Sequence, residues 1–345
     1  MTSTPEVHRV KIRLPKVCDP PSPVNPAQQQ VWIIFGASSQ IAASLIQHCL
    51  ESNDKVVAVG STSEDTHEST EKFYSNDSNA VDTCCDVRCR ASVKSVIDLA
   101  LLHFKQIDII ANCVEYGVIG SCEDQDEYEL RNHFETNFMG TLHIIQTTIS
   151  HFKKQGSGRY LFFNTTPGAL GIPGLGPFYA TKCAVEGLLE SMLYEIDQFN
   201  VKLTLIECGW VGKDVPELEA DRSISSFSSS SSLSTWGHFI LKSPSEPYSQ
   251  ANGPALHAKR LVQWLCDKQP LCHVKCAELI WQLGHCNDPP LRLSLGSYAI
   301  ESLRDRMRCL VEELEDWTYL HFPLTVGEST SGEESEERRE VDDSL

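Results

Sequence analysis

A chain of 345 residues with 29 Lys and Arg against 47 Asp and Glu has a net charge of −18. That balance argues against nucleic acid as a partner, because phosphates are held by clustered cations. A hydrophobic content of 41% suits a globular protein with a sizeable core, in one large domain or two small ones. No secretory signal opens the chain and no apolar run is long enough to cross a membrane, so a cytoplasmic protein without a membrane span is expected.

Residues 1–28 are rich in Pro and Gln and read as a flexible arm. The apolar run Val31-Trp32-Ile33-Ile34-Phe35 then ends at Gly36 and reads as a strand. Ile41, Leu45, Ile46 and Leu50 follow at helical spacing. Residues 55–59 are a second strand and residues 80–84 a third. Residues 91–104 form a helix with a stripe of Val93, Val96, Ile97, Leu101 and Leu102. Residues 107–111 are a buried strand, 127–152 one long helix and 159–163 a strand. Residues 178–198 are a helix, 201–206 a strand, 290–295 a last strand and 298–317 a final helix.

Strands alternating with helices imply βαβ units, and uniformly apolar strands imply a sheet covered on both faces. The expected fold class is α/β, a doubly wound parallel sheet of the Rossmann type. It forms a single domain over residues 29–320 with flexible tails at both ends. Residues 221–235 interrupt the pattern with a Ser-rich stretch, read as a surface insertion or as a lid. Trp236, Phe239, Ile240 and Leu241 give that stretch an apolar foot. Residues 327–345 are an acidic tail expected to be disordered. The densest Cys and His group is Cys266, Cys272, His273, Cys276 and Cys286. It lacks two short zinc-type pairs, so no metal is expected and the thiols are taken as reduced.

The turn Phe35-Gly36-Ala37-Ser38-Ser39-Gln40-Ile41-Ala42 joins the first strand to the first helix, where a dinucleotide fold brings backbone N–H groups to a pyrophosphate. Together with Asp86-Val87, Asn112-Cys113-Val114-Glu115, Asn137-Phe138-Met139-Gly140, Phe178-Tyr179-Ala180-Thr181-Lys182 and Cys208-Gly209, this turn resembles the short-chain dehydrogenase/reductase family over residues 31–318. The resemblance implies a nicotinamide cofactor bound by Gly36, Ser38, Ser39, Ile41, Asp86, Asn112, Lys182 and Val211, with Asp86 at the adenine. Gly60, Ser61 and Thr62 at the end of the second strand supply no acid to repel a 2′-phosphate, which favours NADP and leaves NAD open.

The family carries a catalytic Tyr four residues before its Lys, a Ser thirteen residues before that Tyr, and an Asn. Here the resemblance assigns these places to Phe178, Lys182, Thr165 and Asn137, so the phenol is missing. A phenol beside a cation can hold and move a proton; a phenyl ring cannot. Tyr179 lies three residues before Lys182 and offers a shifted register, against its packing in the core. Glu115 is a new acid beside the nicotinamide or, more simply, a side chain pointing to solvent. The expected function is NADP-dependent interconversion of a carbonyl and an alcohol on a small apolar molecule, through Asn137, Thr165, Tyr179 and Lys182. The alternative is a nucleotide-binding relative with lost or altered redox chemistry. The resemblance further implies a homodimer or homotetramer.

Overall fold

A computed structural model of the chain describes residues 12–24, 26–61, 77–165, 171–208, 234–236, 239–268 and 272–320. Its first half runs β1 (Val31–Phe35), α1 (Gln40–Glu51), β2 (Lys55–Ser61), β3 (Ala80–Cys85), α2 (Arg90–Phe104), β4 (Ile109–Asn112), a short β5 (Gly117–Ile119), α3 (Glu127–His133) and α4 (Gly140–Gln155). The second half runs β6 (Gly158–Thr165), α5 (Gly176–Ile196), β7 (Val201–Cys208), β8 (Ser234–Trp236), β9 (Phe239–Leu241), α6 (Pro254–Lys268), α7 (His273–His285), β10 (Arg292–Leu295) and α8 (Ser297–Asp316). The chain divides into two compact units, Met1–Arg306 and Met307–Leu345. The sheet and every candidate site residue lie in the first. The second is described through residue 320 and is helical to Asp316. The expected acidic tail and most of the Ser-rich stretch lie outside the described residues.

Seven parallel strands form one sheet in the order β10-β7-β6-β4-β1-β2-β3. All five residues of β1 are buried. Ile33 and Phe35 join a core with Val93, Ile144 and Leu189, from α2, α4 and α5. Trp32 and Ile34 join another with Leu45 and Ile280, from α1 and α7. The period of two therefore feeds apolar side chains to both faces. The strand order reverses at the β1–β4 pair, the switch point where doubly wound sheets bind ligands beyond the strand ends.

Three features depart from the sequence pattern. The helix expected over 127–152 is interrupted: between α3 and α4, residues Phe134–Met139 form a π-helical turn. Residues 254–268 and 273–285, where the cysteines draw the eye, fold as two helices. Ala255, Ala258, Val262 and Leu265 are the buried stripe of α6, and Cys276 and Cys286 are core thiols. Within the Pro-rich arm, Leu14 and Cys18 are buried, and the Leu14 N–H donates to Gln282 Oε1 at 3.0 Å. Among the described residues no helix is long and apolar enough to cross a membrane.

A second, three-stranded sheet stands apart, with β5 parallel to β9 and β9 antiparallel to β8. It sets the apolar foot of the Ser-rich stretch on the segment that follows β4. Gly117 permits this approach, because a Cβ there would overlap the Phe239 ring.

Candidate active site

The end of the site nearest β1 is made of backbone. Gly36 has φ +80°, and a Cβ on it would lie 2.8 Å from the Cys113 carbonyl carbon. Only glycine accepts both the left-handed backbone and the contact. Ser39 caps α1, its Oγ accepting from the Ala42 N–H at 3.3 Å, and Ser38 is exposed at the turn. Ile41 points the other way, into the core under α1. The N-terminus of a twelve-residue helix thus opens beside the switch point, where a phosphate is favoured.

Asn112 closes β4. Its Oδ1 accepts from the Val114 N–H and its Nδ2 donates to Thr141 Oγ1, both at 3.2 Å. Asp86, the expected adenine partner, is engaged by Arg88. Arg88 donates Nε to Oδ1 at 3.0 Å and Nη2 to Oδ2 at 3.0 Å, and its Nη1 reaches Asn132 Oδ1 at 2.9 Å. Asp86 and Arg88 therefore present themselves as a neutral pair.

The other end is made of side chains. Asn137 sits in the π-helical turn, a feature frequent at functional sites. Its amide grips the Tyr116 backbone, accepting from N–H at 2.9 Å and donating to C=O at 2.8 Å. The same Nδ2 reaches Thr181 Oγ1 at 3.0 Å, and Thr181 donates to the Phe178 carbonyl at 2.7 Å. Lys182, with only 4% of its side chain exposed, makes an ion pair with Glu115 Oε1 at 2.6 Å. Its Nζ also lies 3.5 Å from the Phe163 carbonyl and 5.4 Å from the centre of the Phe178 ring. Glu115, whose simpler expectation was a side chain in solvent, is instead the partner of the buried lysine.

Phe178 is 1% exposed. Its ring meets those of Phe239 at 5.1 Å, Tyr179 at 5.8 Å and His133 at 6.5 Å, all edge to face. Such pairs add about 0.5–1.5 kcal/mol beyond area burial. Tyr179 is 9% exposed and packs in the same apolar cluster with Ile119, Ile172, Leu175 and Ala258. Among the described residues the contacts of Lys182 include Glu115, Phe163 and Phe178. His133 is wholly buried, and burial pulls its pKa down to about 4. Its Nε2 sits 3.2 Å from Gln125 Oε1. Thr165 ends β6 opposite Cys208 in register; Val211 lies outside the described residues. Among those residues no group of three or more His, Cys, Asp or Glu is placed to hold a metal.

A model of the short chain dehydrogenase family matches residues 30–221, more than half of the chain. The chain belongs to the short-chain dehydrogenases. It is 23% identical over 293 residues to the oxidoreductase BOA17 of Botryotinia fuckeliana, covering 84% of this chain and 97% of that protein. It is 30% identical over 143 residues to an uncharacterized oxidoreductase of Schizosaccharomyces pombe, covering 41% of this chain and 61% of that one. A short-chain dehydrogenase from Streptomyces avermitilis superposes with a TM-score of 0.69 at 22% identity, over 85% of this chain and 98% of that chain. One from Burkholderia phymatum, solved in complex with NAD, superposes with a TM-score of 0.62 at 17% identity, over 87% of this chain and 99% of that chain. This short-chain dehydrogenase is thus an oxidoreductase by family, with the doubly wound fold expected of it. Glu115, Arg88 and His133 are its additions to the sequence-level site. Only Glu115 carried a signal, as a carboxylate in a segment where the family keeps small residues.

Proposed function

We propose that this chain binds a nicotinamide dinucleotide, NADP before NAD, and interconverts a carbonyl and an alcohol on a small apolar molecule. The observation that carries the reading is the backbone cradle at Gly36, open beside the switch point and closed to any side chain. Gly36, Ser38, Ser39 and the N-terminus of α1 would hold the pyrophosphate, with Ile41 anchoring the helix beneath. The Asp86–Arg88 pair and Val211 would flank the two ring systems, while Asn112 fixes the turn between them. Lys182 would meet the nicotinamide ribose with the N–H capacity that Glu115 leaves it. When bound, such a cofactor supplies or accepts a hydride.

NADP is favoured because β2 ends on Gly60 and Ser61, with no carboxylate to repel a 2′-phosphate. Thr165 would orient the substrate oxygen. An apolar substrate, a cytoplasmic location and a homodimer or homotetramer belong to the same proposal. Titration calorimetry with NADPH, NADP and NADH tests it. Micromolar binding of NADPH with weaker NADH is expected, and no binding of any of them removes the proposal.

A second reading is favoured by one observation. Phe178 stands where the phenol belongs, and the lysine is paired with a carboxylate. On that reading the chain binds the nucleotide but has lost or altered its redox chemistry. A panel of carbonyls and alcohols scored by NADPH absorbance separates the two: turnover supports the first, and binding without turnover supports the second.

A further inference from the structure

Oxidising an alcohol by hydride loss requires its hydroxyl proton to leave, and some group at the site must take it. Phe178 cannot. Tyr179 is packed among Ile119, Leu175 and Ala258. His133 is sealed from solvent behind Phe178. The Cys113 thiol is buried and that of Cys208 partly so, and desolvation, reinforced by Glu115, raises the pKa of both. Glu115 is different on both counts that matter. Its side chain is 23% exposed, and its carboxylate touches the buried Lys182 ammonium at 2.6 Å.

We infer that Glu115, oriented by Lys182, is the base that takes the alcohol proton in place of the missing phenol. The inference rests on the dinucleotide-dependent reaction proposed above. As the hydroxyl O–H bond breaks, its proton forms a new O–H bond on Glu115. The carbon–hydrogen bond electrons leave as hydride to the oxidised nicotinamide, which is reduced, and the carbon–oxygen bond becomes a carbonyl. Lys182 from α5 steadies the carboxylate before the transfer. Among the described residues the groups facing Glu115 include that ammonium, the thiols of Cys113 and of Cys208 at the end of β7, and its neighbour Tyr116, whose backbone Asn137 fixes. The proton then leaves to solvent on the exposed side of the carboxylate.

A nucleotide laid over Glu115 strips water from the carboxylate, which works against its charged form while Lys182 works for it, so any proton uptake is partial. Calorimetry in buffers of differing ionisation enthalpy at pH 5–6 counts the protons taken up on binding. NADPH should bring a fractional uptake, NADP with its cationic ring a smaller one. Glu115→Asp should keep the uptake and Glu115→Gln should lose it, together with at least about 100-fold in alcohol oxidation. Absence of uptake in the native protein, equal uptake for both cofactor forms, or unchanged uptake or turnover in Glu115→Gln overturns the assignment. If Glu115→Gln does not fold, the comparison of the two cofactor forms on the native protein decides it alone. Failure of any dinucleotide to bind overturns the underlying function instead, and is seen as an absence of binding heat rather than of proton exchange.

Discussion

The two ends of the site are held by different materials. At Gly36 the cradle is backbone: a positive φ, a contact with the Cys113 carbonyl and a capped helix. Side chains around it can change while the amide directions stay fixed, and they have: Gln40 and Ala42 stand where the family resemblance keeps glycine. At Lys182 the site is a set of side chains, and one change reorganises its neighbours. With a phenyl ring at 178, the Phe239 ring closes over it and Glu115 meets the ammonium. A fold can thus keep the geometry that binds a ligand while the group that moves a proton is exchanged.

If the two ends are independent, each breaks without the other. Phe239→Ala removes the ring that packs on Phe178 and faces bare Gly117. It should cost about 3–5 kcal/mol in urea unfolding, yet leave dinucleotide affinity within about threefold, under 1 kcal/mol. Gly36→Ala is the converse. A left-handed backbone costs a non-glycine residue about 1–2 kcal/mol and the overlap with Cys113 about 1–3 more. A loss of about 2–5 kcal/mol should come with loss of dinucleotide binding by calorimetry. Equal effects of both variants on affinity would mean that the two ends are one unit.

His133 sharpens the comparison through pH. Its folded pKa of about 4 lies below the ordinary histidine value of 6.5, so the unfolded chain binds the extra proton first. The stability tied to its neutral form is complete above pH 6.5 and is lost as pH falls toward 4. The difference between the two corresponds to about 3 kcal/mol. Urea midpoints measured from pH 7 to pH 4 should fall, and fall less steeply in His133→Asn. An identical slope in the variant would assign the acid sensitivity elsewhere.

The parts legible in the sequence are those fixed by local pattern. The all-apolar β1 and the glycine after it announce a covered parallel strand and a tight turn, and Ser39 begins a helix with its apolar stripe. What stayed hidden depends on distance or on hydrogen-bond register. Glu115 and Lys182 are 67 residues apart and meet only because the turn after β4 and the first turns of α5 share one end of the sheet. The π-helical turn that carries Asn137 inserts no unusual residue; it is set by the Tyr116 backbone that the amide grips. Helices α6 and α7 were obscured by their cysteines, although Ala255, Ala258, Val262 and Leu265 have helical spacing. Arg88 closes on Asp86 across two residues, a pairing that no helix or strand period announces.

Lys242 offers the smallest and most local break. It follows β9, its N–H donates to the Ile119 carbonyl at 2.9 Å, and its ammonium lies 2.9 Å from Glu129 and 3.0 Å from Asp126. Those two acids form the capping box of α3 and bond to each other's backbone without the lysine. Lys242→Met keeps most of the apolar stem and removes the charge, so it should cost about 1 kcal/mol, the range of a half-exposed pair. The loss should appear as faster hydrogen exchange along the β5–β9 pair, while the amides of β1 and α1 keep their protection. The foot of the Ser-rich stretch would then loosen over Phe178 without disturbing the cradle. Faster exchange at both places would show instead that the foot is coupled to the nucleotide end, and that the side-chain half of the site is not free to vary alone.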